Sequence, residues 1–253
     1  MDKPIRDVVA ENVAPADPVW LHERPMIPLH GITIVAGFRN ATKTTFACWL
    51  TAQTTATAGT VFWLGLICMY LFLKLDRLML ERHVSFADLG RYAAAQQLNE
   101  NWITLALMLA QTIAPAFVYR VQDVARLRRN IVRLTAMTAG LMTAGALVLD
   151  AAAPLIVGKV FGHGYEASVD IFRWAVWLSV PAGIEAIGNL IVLKYQAKFV
   201  LLAKWVLALA IAALVNVFAI PRLGLYGALV GLAAGYVAAT AVNFYYIRFR
   251  LRP

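Results

Sequence analysis

The stretch Leu223–Ile247 reads LGLYGALVGLAAGYVAATAVNFYYI and contains no charged side chain. About 20 apolar residues in a helix, with a rise of 1.5 Å each, cross the ~30 Å hydrocarbon core of a bilayer. Lipid offers no partner for backbone N–H and C=O groups, so a spanning segment must bond them within itself, as a helix does. The stretch therefore predicts a membrane-spanning helix.

Five further apolar stretches precede it. Glu185 interrupts one of them and Lys204 another. The period-2 alternation of an outer-membrane barrel is missing, so the predicted fold class is all-α, a multi-pass transmembrane helical bundle of about six spans. The five upstream spans are predicted at 56–75, Asn101–Tyr119, Leu134–Leu149, Trp174–Leu193 and Phe199–Ile220.

The composition of the chain agrees with a membrane protein. Of its 253 residues, 61% are apolar and 15% are charged, against roughly 25% charged in soluble domains, and the mean hydropathy is +0.67. The net charge of +9 comes from short basic clusters between apolar runs, a distribution that argues against nucleic-acid binding. Two cysteines, Cys48 and Cys68, provide no disulfide framework.

Basic residues follow the second, fourth and sixth predicted spans. By the positive-inside rule these connections face the cytoplasm, and both termini then lie there as well. The first 30 residues lack the apolar core of a secretory signal, so no cleaved signal peptide is expected. The basic residues are Arg126, Arg128, Arg129, Arg133, Lys194, Lys198, Arg248, Arg250 and Arg252.

Residues 1–55 are interpreted as a soluble or disordered amino-terminal segment, and residues 56–253 as the transmembrane domain. Within the first segment, Gly37, Lys43 and Thr44 have the spacing of a phosphate-binding P-loop. Thr42 stands where that motif needs a glycine, and the chain enters a membrane span soon afterwards. We therefore interpret this stretch as a degenerate P-loop-like remnant, with an ATP-regulated membrane protein as the alternative.

Prolines and glycines inside the spans predict local geometry. Pro115 and Pro181 each remove a backbone donor, so their helices are expected to kink, either passively or as gates. Gly227, Gly231 and Gly235 recur every four residues and predict close packing against a neighbouring helix, in this chain or in another.

The spacing of histidines and carboxylates indicates neither a metal site nor a catalytic arrangement. The four histidines are scattered, and no pattern such as H-E-x-x-H is present. We therefore expect a protein that is not an enzyme and that needs neither metal nor cofactor.

From about Leu75 onward, a series of short motifs runs in order along the chain. The motifs are DRLML at 76–80, GRYAAA at 90–95, Ala114-Pro115, APLIV at 153–157, FGHGY at 161–165, Asn216 and IPRLGLYGA at 220–228. Together they resemble the carboxy-terminal half of polysaccharide flippases, members of the multidrug/oligosaccharidyl-lipid/polysaccharide exporter superfamily. That resemblance implies a protein of the cell (inner) membrane.

The resemblance implies alternating-access transport of a lipid-linked oligosaccharide, with membrane lipid and that substrate as partners. Ionisable groups inside spans are costly and are therefore candidates for function. Glu185, Asn189, Lys204 and Arg173 would line a water-filled cavity in which basic groups screen the substrate's diphosphate and the carboxylate exchanges ions or protons. In the alternative interpretation, Lys198, Lys204 and Arg173 extend to the headgroups and Glu185 pairs with a lysine.

Proteins of this kind have two helical lobes, and six spans correspond to one of them. We expect a half-length or truncated member, which would need a second half-transporter or a second copy of itself as a homodimer. A different function is also open, that of a non-transporting membrane scaffold for a polysaccharide synthesis complex.

Overall fold

The computed structural model describes residues 60–162 and 164–251, and within them every regular element is a helix. This result confirms the predicted all-α class. A proline-led π-helical turn, Pro115–Tyr119, extends α2. The α-helices are α1 (Thr60–Leu80), α2 (Phe86–Ala114), α3 (Val124–Phe161), α4 (Ser168–Val176), α5 (Ser179–Lys194), α6 (Lys198–Leu223) and α7 (Leu225–Arg250). The segment 1–55, with Gly37, Lys43 and Thr44, lies outside the described residues.

Five of these helical segments are long and apolar enough to cross a membrane, which makes the chain a multi-pass membrane protein. They are Phe86–Tyr119, Val124–Phe161, Ser168–Lys194, Lys198–Leu223 and Leu225–Arg250. The first four contain the second to fifth predicted spans, and the last begins two residues after the start of the sixth, Leu223–Ile247. The first predicted span corresponds to α1, which is helical but carries Lys74, Asp76 and Arg77 in its second half. Those charges keep α1 out of the set of five.

Large apolar side chains cover much of the outer surface of the bundle. Such exposure is costly in water and neutral in lipid, so it fits a bundle that is surrounded by hydrocarbon. Examples on four of the helices are Met108, Met137, Val148, Phe218 and Phe244.

Helices α6 and α7 form a tight hairpin whose contact face is the glycine stripe. A methyl group at Gly231 would overlap the Asn216 side chain, and one at Gly227 would overlap the backbone of Ala219. The single-residue connection at Gly224 has a φ of +57°, which favours glycine. The stripe therefore packs within this chain, which settles the choice between a neighbour here and one elsewhere.

Helix α1 packs against the same hairpin. Phe72 is fully buried, with its ring centroid 5.7 Å from that of Trp205 on α6 and 5.2 Å from that of Tyr236 on α7. A Cβ at Gly235 would overlap the Phe72 ring. Small residues on α7 thus leave room for the large Phe72 side chain of α1. Such close packing is how apolar helices gain dispersion energy in lipid.

A break separates α4 from α5 just before Pro181. Proline has no N–H to offer the Trp177 carbonyl, which instead accepts from the Val180 N–H at 3.2 Å. The Ser179 hydroxyl donates to the Val176 carbonyl at 2.6 Å, and it satisfies a group that the break would leave free.

The hydrogen-bond pattern of α2 also changes at a proline. The α-helix ends at Ala114, and the next turn is π-helical, with the Arg120 N–H donating to the Pro115 carbonyl at 3.2 Å. Lys194, at the end of α5, donates to the carbonyls of Val118 and Val121 at 2.8 and 2.6 Å. The proline thus coincides with a wider helical turn, and its role in gating stays a prediction.

Candidate functional site

Glu185, Asn189 and Lys204 form one buried polar cluster inside the bundle. Lys204 Nζ donates to Glu185 Oε1 at 2.6 Å and to Asn189 Oδ1 at 2.7 Å. Glu185 and Asn189 lie one turn apart on α5, and Lys204 reaches them from α6. The side chains of Lys204 and Glu185 are 0% and 7% exposed, so the ion pair is closed off from the surroundings of the lobe.

Asn243 connects this pair to a third helix. Its Nδ2 on α7 donates to the backbone carbonyl of Glu185 at 3.0 Å and to Glu185 Oε1 at 3.3 Å. Gly188 lies against Asn243, and a Cβ there would come within 2.9 Å of the Asn243 side chain. Gly188, directly before Asn189, therefore lets the Asn243 amide approach α5 closely.

The cluster satisfies the charge of Lys204 from several sides. Besides its two acceptors, the ammonium lies 4.7 Å from the centroid of the Trp205 ring, where the negative face of the indole stabilises a cation. Lys204 therefore does not extend to the headgroups, because its ammonium is held inside the bundle. Such a cluster can hold three helices in one arrangement, and it can release them when either charge is neutralised or finds another partner.

Arg173 belongs to a different part of the bundle. Its guanidinium lies 3.5 Å from Asp150 on α3 and 3.7 Å from Asp170, one turn earlier on α4. Arg173 and Asp150, together with Trp174 and Trp177, border an open cleft of about 580 Å³. Of the four predicted site residues, three are therefore brought together and the fourth is not.

A second buried polar cluster joins α1 to α2, and sequence reasoning did not identify it as a site. Tyr92 Oη donates to Asp76 Oδ2 at 2.6 Å, and Gln96 Nε2 donates to Tyr92 Oη at 3.0 Å. Asn99 extends the chain by donating to Gln96 Oε1 at 3.2 Å. All four side chains are buried, and Asp76 Oδ1 has no partner within the described residues.

Glu100 on α2 pairs with the two basic residues of α1. Its carboxylate accepts from Lys74 Nζ at 3.0 Å and from Arg77 at 2.6 Å. The signal in the sequence was the charged triplet Lys74, Asp76 and Arg77 directly after an apolar run, together with the polar series Tyr92, Gln96, Asn99 and Glu100 at helical spacing. Two such series on consecutive helices indicate a polar interface.

No cofactor site emerges from these clusters. Within residues 60–162 and 164–251, no group of three His, Cys, Asp or Glu side chains is placed to hold a metal ion. The chemistry available is that of ion pairs and hydrogen bonds between helices.

Comparisons with known proteins place the chain in a family. The model of a family described as polysaccharide biosynthesis protein matches residues 37–170. The matched range includes the Asp76–Tyr92 cluster and Pro115, whereas Glu185 and Lys204 lie beyond it. Neither the curated proteins nor the solved structures gave a match. Since the matched residues make up more than half of the sequence, the chain belongs to the polysaccharide biosynthesis protein family.

Proposed function

We propose that this chain is one lobe of a flippase that moves a lipid-linked oligosaccharide between membrane leaflets by alternating access. The observation that carries the proposal is the buried Glu185–Lys204 ion pair, which joins two spans and contacts a third through Asn243. A charged group near the bilayer centre costs about 2.5 kcal/mol or more. Such groups mark substrate and ion pathways in membrane proteins, which supports transport for a member of this family.

The proposed mechanism uses the pair as a switch. In the closed arrangement Lys204 is bonded to Glu185 and Asn189. When the helices separate, a phosphate oxygen of the lipid carrier replaces the carboxylate as the partner of Lys204, and Glu185 takes up a proton. Each charge is thereby compensated in both arrangements, and that compensation lets the exchange proceed without leaving a bare ion in the membrane.

Two prolines supply candidate points of bending. The break before Pro181 leads directly into the helix that carries Glu185, and the wide turn at Pro115 lies where Lys194 of the same helix docks. Rocking of α5 about these points would separate Glu185 from Lys204. Alternating access also needs a facing lobe, which we assign to a second copy or to a separate half-transporter. In this proposal both termini lie in the cytoplasm, the membrane is the inner one, and no chemical step is involved.

The test is complementation of a cell that lacks its polysaccharide flippase. Glu185→Gln and Lys204→Gln are compared with the parent chain at matched protein levels in the membrane, with surface polymer as the readout. We expect export to fall at least tenfold in both variants. Lys198→Gln, which removes a charge from the start of the same helix as Lys204, is the control and should retain export. Unchanged export in both cluster variants would overturn the proposal.

A non-transporting scaffold for a polysaccharide synthesis complex is the second candidate. It is favoured by the closure of the Glu185–Lys204 pair, because two charges that satisfy each other inside a lobe also suit a static role. The scaffold predicts that a glycosyltransferase co-purifies with the chain and that complementation fails even for the unmodified protein. The ATP-regulated alternative depends on Lys43, which lies outside the described residues.

A further inference from the structure

A groove runs along the outside of the bundle between α3 and α7, and α5 closes its floor. It has a volume of about 770 Å³. Most side chains of the two walls are apolar or small, and the floor is formed by Ile184 and Gly188 of α5. Apolar residues of the walls include Ile131, Val132, Ala136, Ala139, Phe244 and Ile247.

Two arginines stand at one end of this groove. Arg128, in the second turn of α3, and Arg248, in the last turn of α7, both line it. Both side chains are exposed, and neither forms an ion pair with another residue of the part of the chain that the structure describes. The groove thus has a cationic mouth and an apolar body, which is the charge pattern of a site for an anionic amphiphile.

The length of the groove matches one leaflet. From Arg128 to Ala139 the helical rise gives about 16 Å, and half of a ~30 Å hydrocarbon core is about 15 Å. A phosphate at the arginines would therefore place an acyl chain along α3 as far as the bilayer midplane. A polyprenyl chain is several times longer than this groove and would extend beyond it.

Two polar atoms of α7 border the groove part-way along its length. Thr240 Oγ1 and Asn243 Oδ1 border the groove on α7, and neither has a partner among the described residues. A buried polar atom without a partner costs free energy. Asn243 lies five residues before Arg248, about 7.5 Å along the helix axis, where water around the glycerol esters of a bound lipid donates to its Oδ1. Thr240 lies about 12 Å from Arg248, at the level of the acyl chain.

From these observations we propose that the α3–α7 groove binds an anionic glycerophospholipid. The phosphate lies between Arg128 and Arg248, and one acyl chain follows Val132, Ala136 and Ala139. By positive-inside orientation the occupied leaflet is the cytoplasmic one. This lipid site shares Asn243 with the Glu185–Lys204 cluster, but its two arginines and its apolar wall take no part in that cluster. Lipid retention does not depend on transport, so either proposal can fail alone.

Native mass spectrometry of the full chain, released from nanodiscs with equal amounts of phosphatidylglycerol and phosphatidylcholine, tests this site. We expect the parent protein to retain phosphatidylglycerol. The double variant Arg128→Gln/Arg248→Gln should retain it about tenfold less, as expected when two arginine contacts to an anionic lipid are lost. Arg126→Gln/Arg222→Gln removes the same charge outside the groove and should behave like the parent.

A variant of the apolar wall tests whether the lipid is retained by the groove or only by the general attraction of basic residues for anionic lipid. Ala136→Phe fills the wall and leaves both arginines in place, and we expect it to lower retention as well. Equal retention by the parent and the arginine double variant would overturn the proposal. Equal retention by the parent and Ala136→Phe would also overturn it. Preferential retention of a polyprenyl phosphate, added at the same concentration, would also overturn it, because the occupant would then be the carrier lipid.

Discussion

Lys204 Nζ and Glu185 Oε1 lie 2.6 Å apart on two neighbouring helices, and both side chains are buried. The two residues are separated by the whole connection between α5 and α6, so their contact fixes how these helices face each other. Each charge is the main reason that the other is tolerated at this depth, since an isolated ion inside an apolar bundle is strongly destabilised. Removal of one charge should therefore destabilise the bundle more than replacement of both residues by apolar ones.

Lys204→Met is expected to lower the free energy of unfolding by about 3–5 kcal/mol, because it leaves the Glu185 carboxylate buried without its partner. Glu185→Leu combined with Lys204→Met should recover most of that loss, since two apolar side chains need no partner. Denaturant unfolding of the detergent-solubilised chain measures both effects. Glu185→Leu alone completes the cycle, and a double variant whose loss equals the sum of the two single losses would show that the residues are not energetically coupled. Lys198→Met is the control for loss of a lysine from α6.

Gly231→Ala tests the close approach of α6 and α7. The added methyl group overlaps the Asn216 side chain, so the helices must separate, and we expect a loss of about 1–3 kcal/mol. Gly140→Ala is the matched control, since a Cβ there meets nothing within 4 Å on α3. That control should be neutral or stabilising by up to about 1 kcal/mol, from helix propensity alone. Equal effects of the two substitutions on thermal unfolding would contradict this account of the hairpin.

The spans were predictable because apolarity along a chain is a local property. A charge-free run such as Leu223–Ile247 can only be a helix in lipid, whatever its neighbours are. The limits of the helices were harder to predict. Asp76 and Arg77 lie beyond the first predicted span, 56–75, whereas α1 continues through them to Leu80, because α2 provides their partners.

The partners of buried charges were only partly predictable. That Glu185 pairs with a lysine was one of two interpretations, but the sequence does not specify which lysine, since helix rotation and register depend on packing. Lys194 illustrates the same limit. By the positive-inside rule it was predicted to lie on the cytoplasmic side, and the structure shows its ammonium bonded to backbone carbonyls of another helix. Arg173 was grouped with Glu185 as a charge at the entrance to the same predicted span, and its contacts lie elsewhere.

Tyr92→Phe is expected to destabilise the α1–α2 interface by about 1.5–3 kcal/mol, because it removes a hydrogen bond to the Asp76 carboxylate, which then lacks its shortest contact. The same substitution in an Asp76→Leu background should cost much less, since the acceptor is already gone. Tyr70→Phe, an exposed tyrosine on α1, is the control. Thermal unfolding of the parent, Tyr92→Phe, Asp76→Leu and the double variant gives the coupling energy between Tyr92 and Asp76. A coupling energy near zero would refute a stabilising contact between them.

Lys194→Met tests the junction between α5 and the π-helical turn. The lysine donates to three carbonyls at the end of that turn, those of Val118, Tyr119 and Val121. Without it these acceptors lose a charged donor, and hydrogen bonds of that kind contribute about 1.5–3 kcal/mol each. We expect the Arg120 and Val121 amides to exchange hydrogen at least about tenfold faster, because local opening becomes easier. Lys194→Arg, which keeps the charge and the donors, should slow exchange back towards the parent rate. Unchanged exchange at both amides in Lys194→Met would mean that the turn is held by its own backbone bonds, and Pro115 would then bend α2 independently of α5.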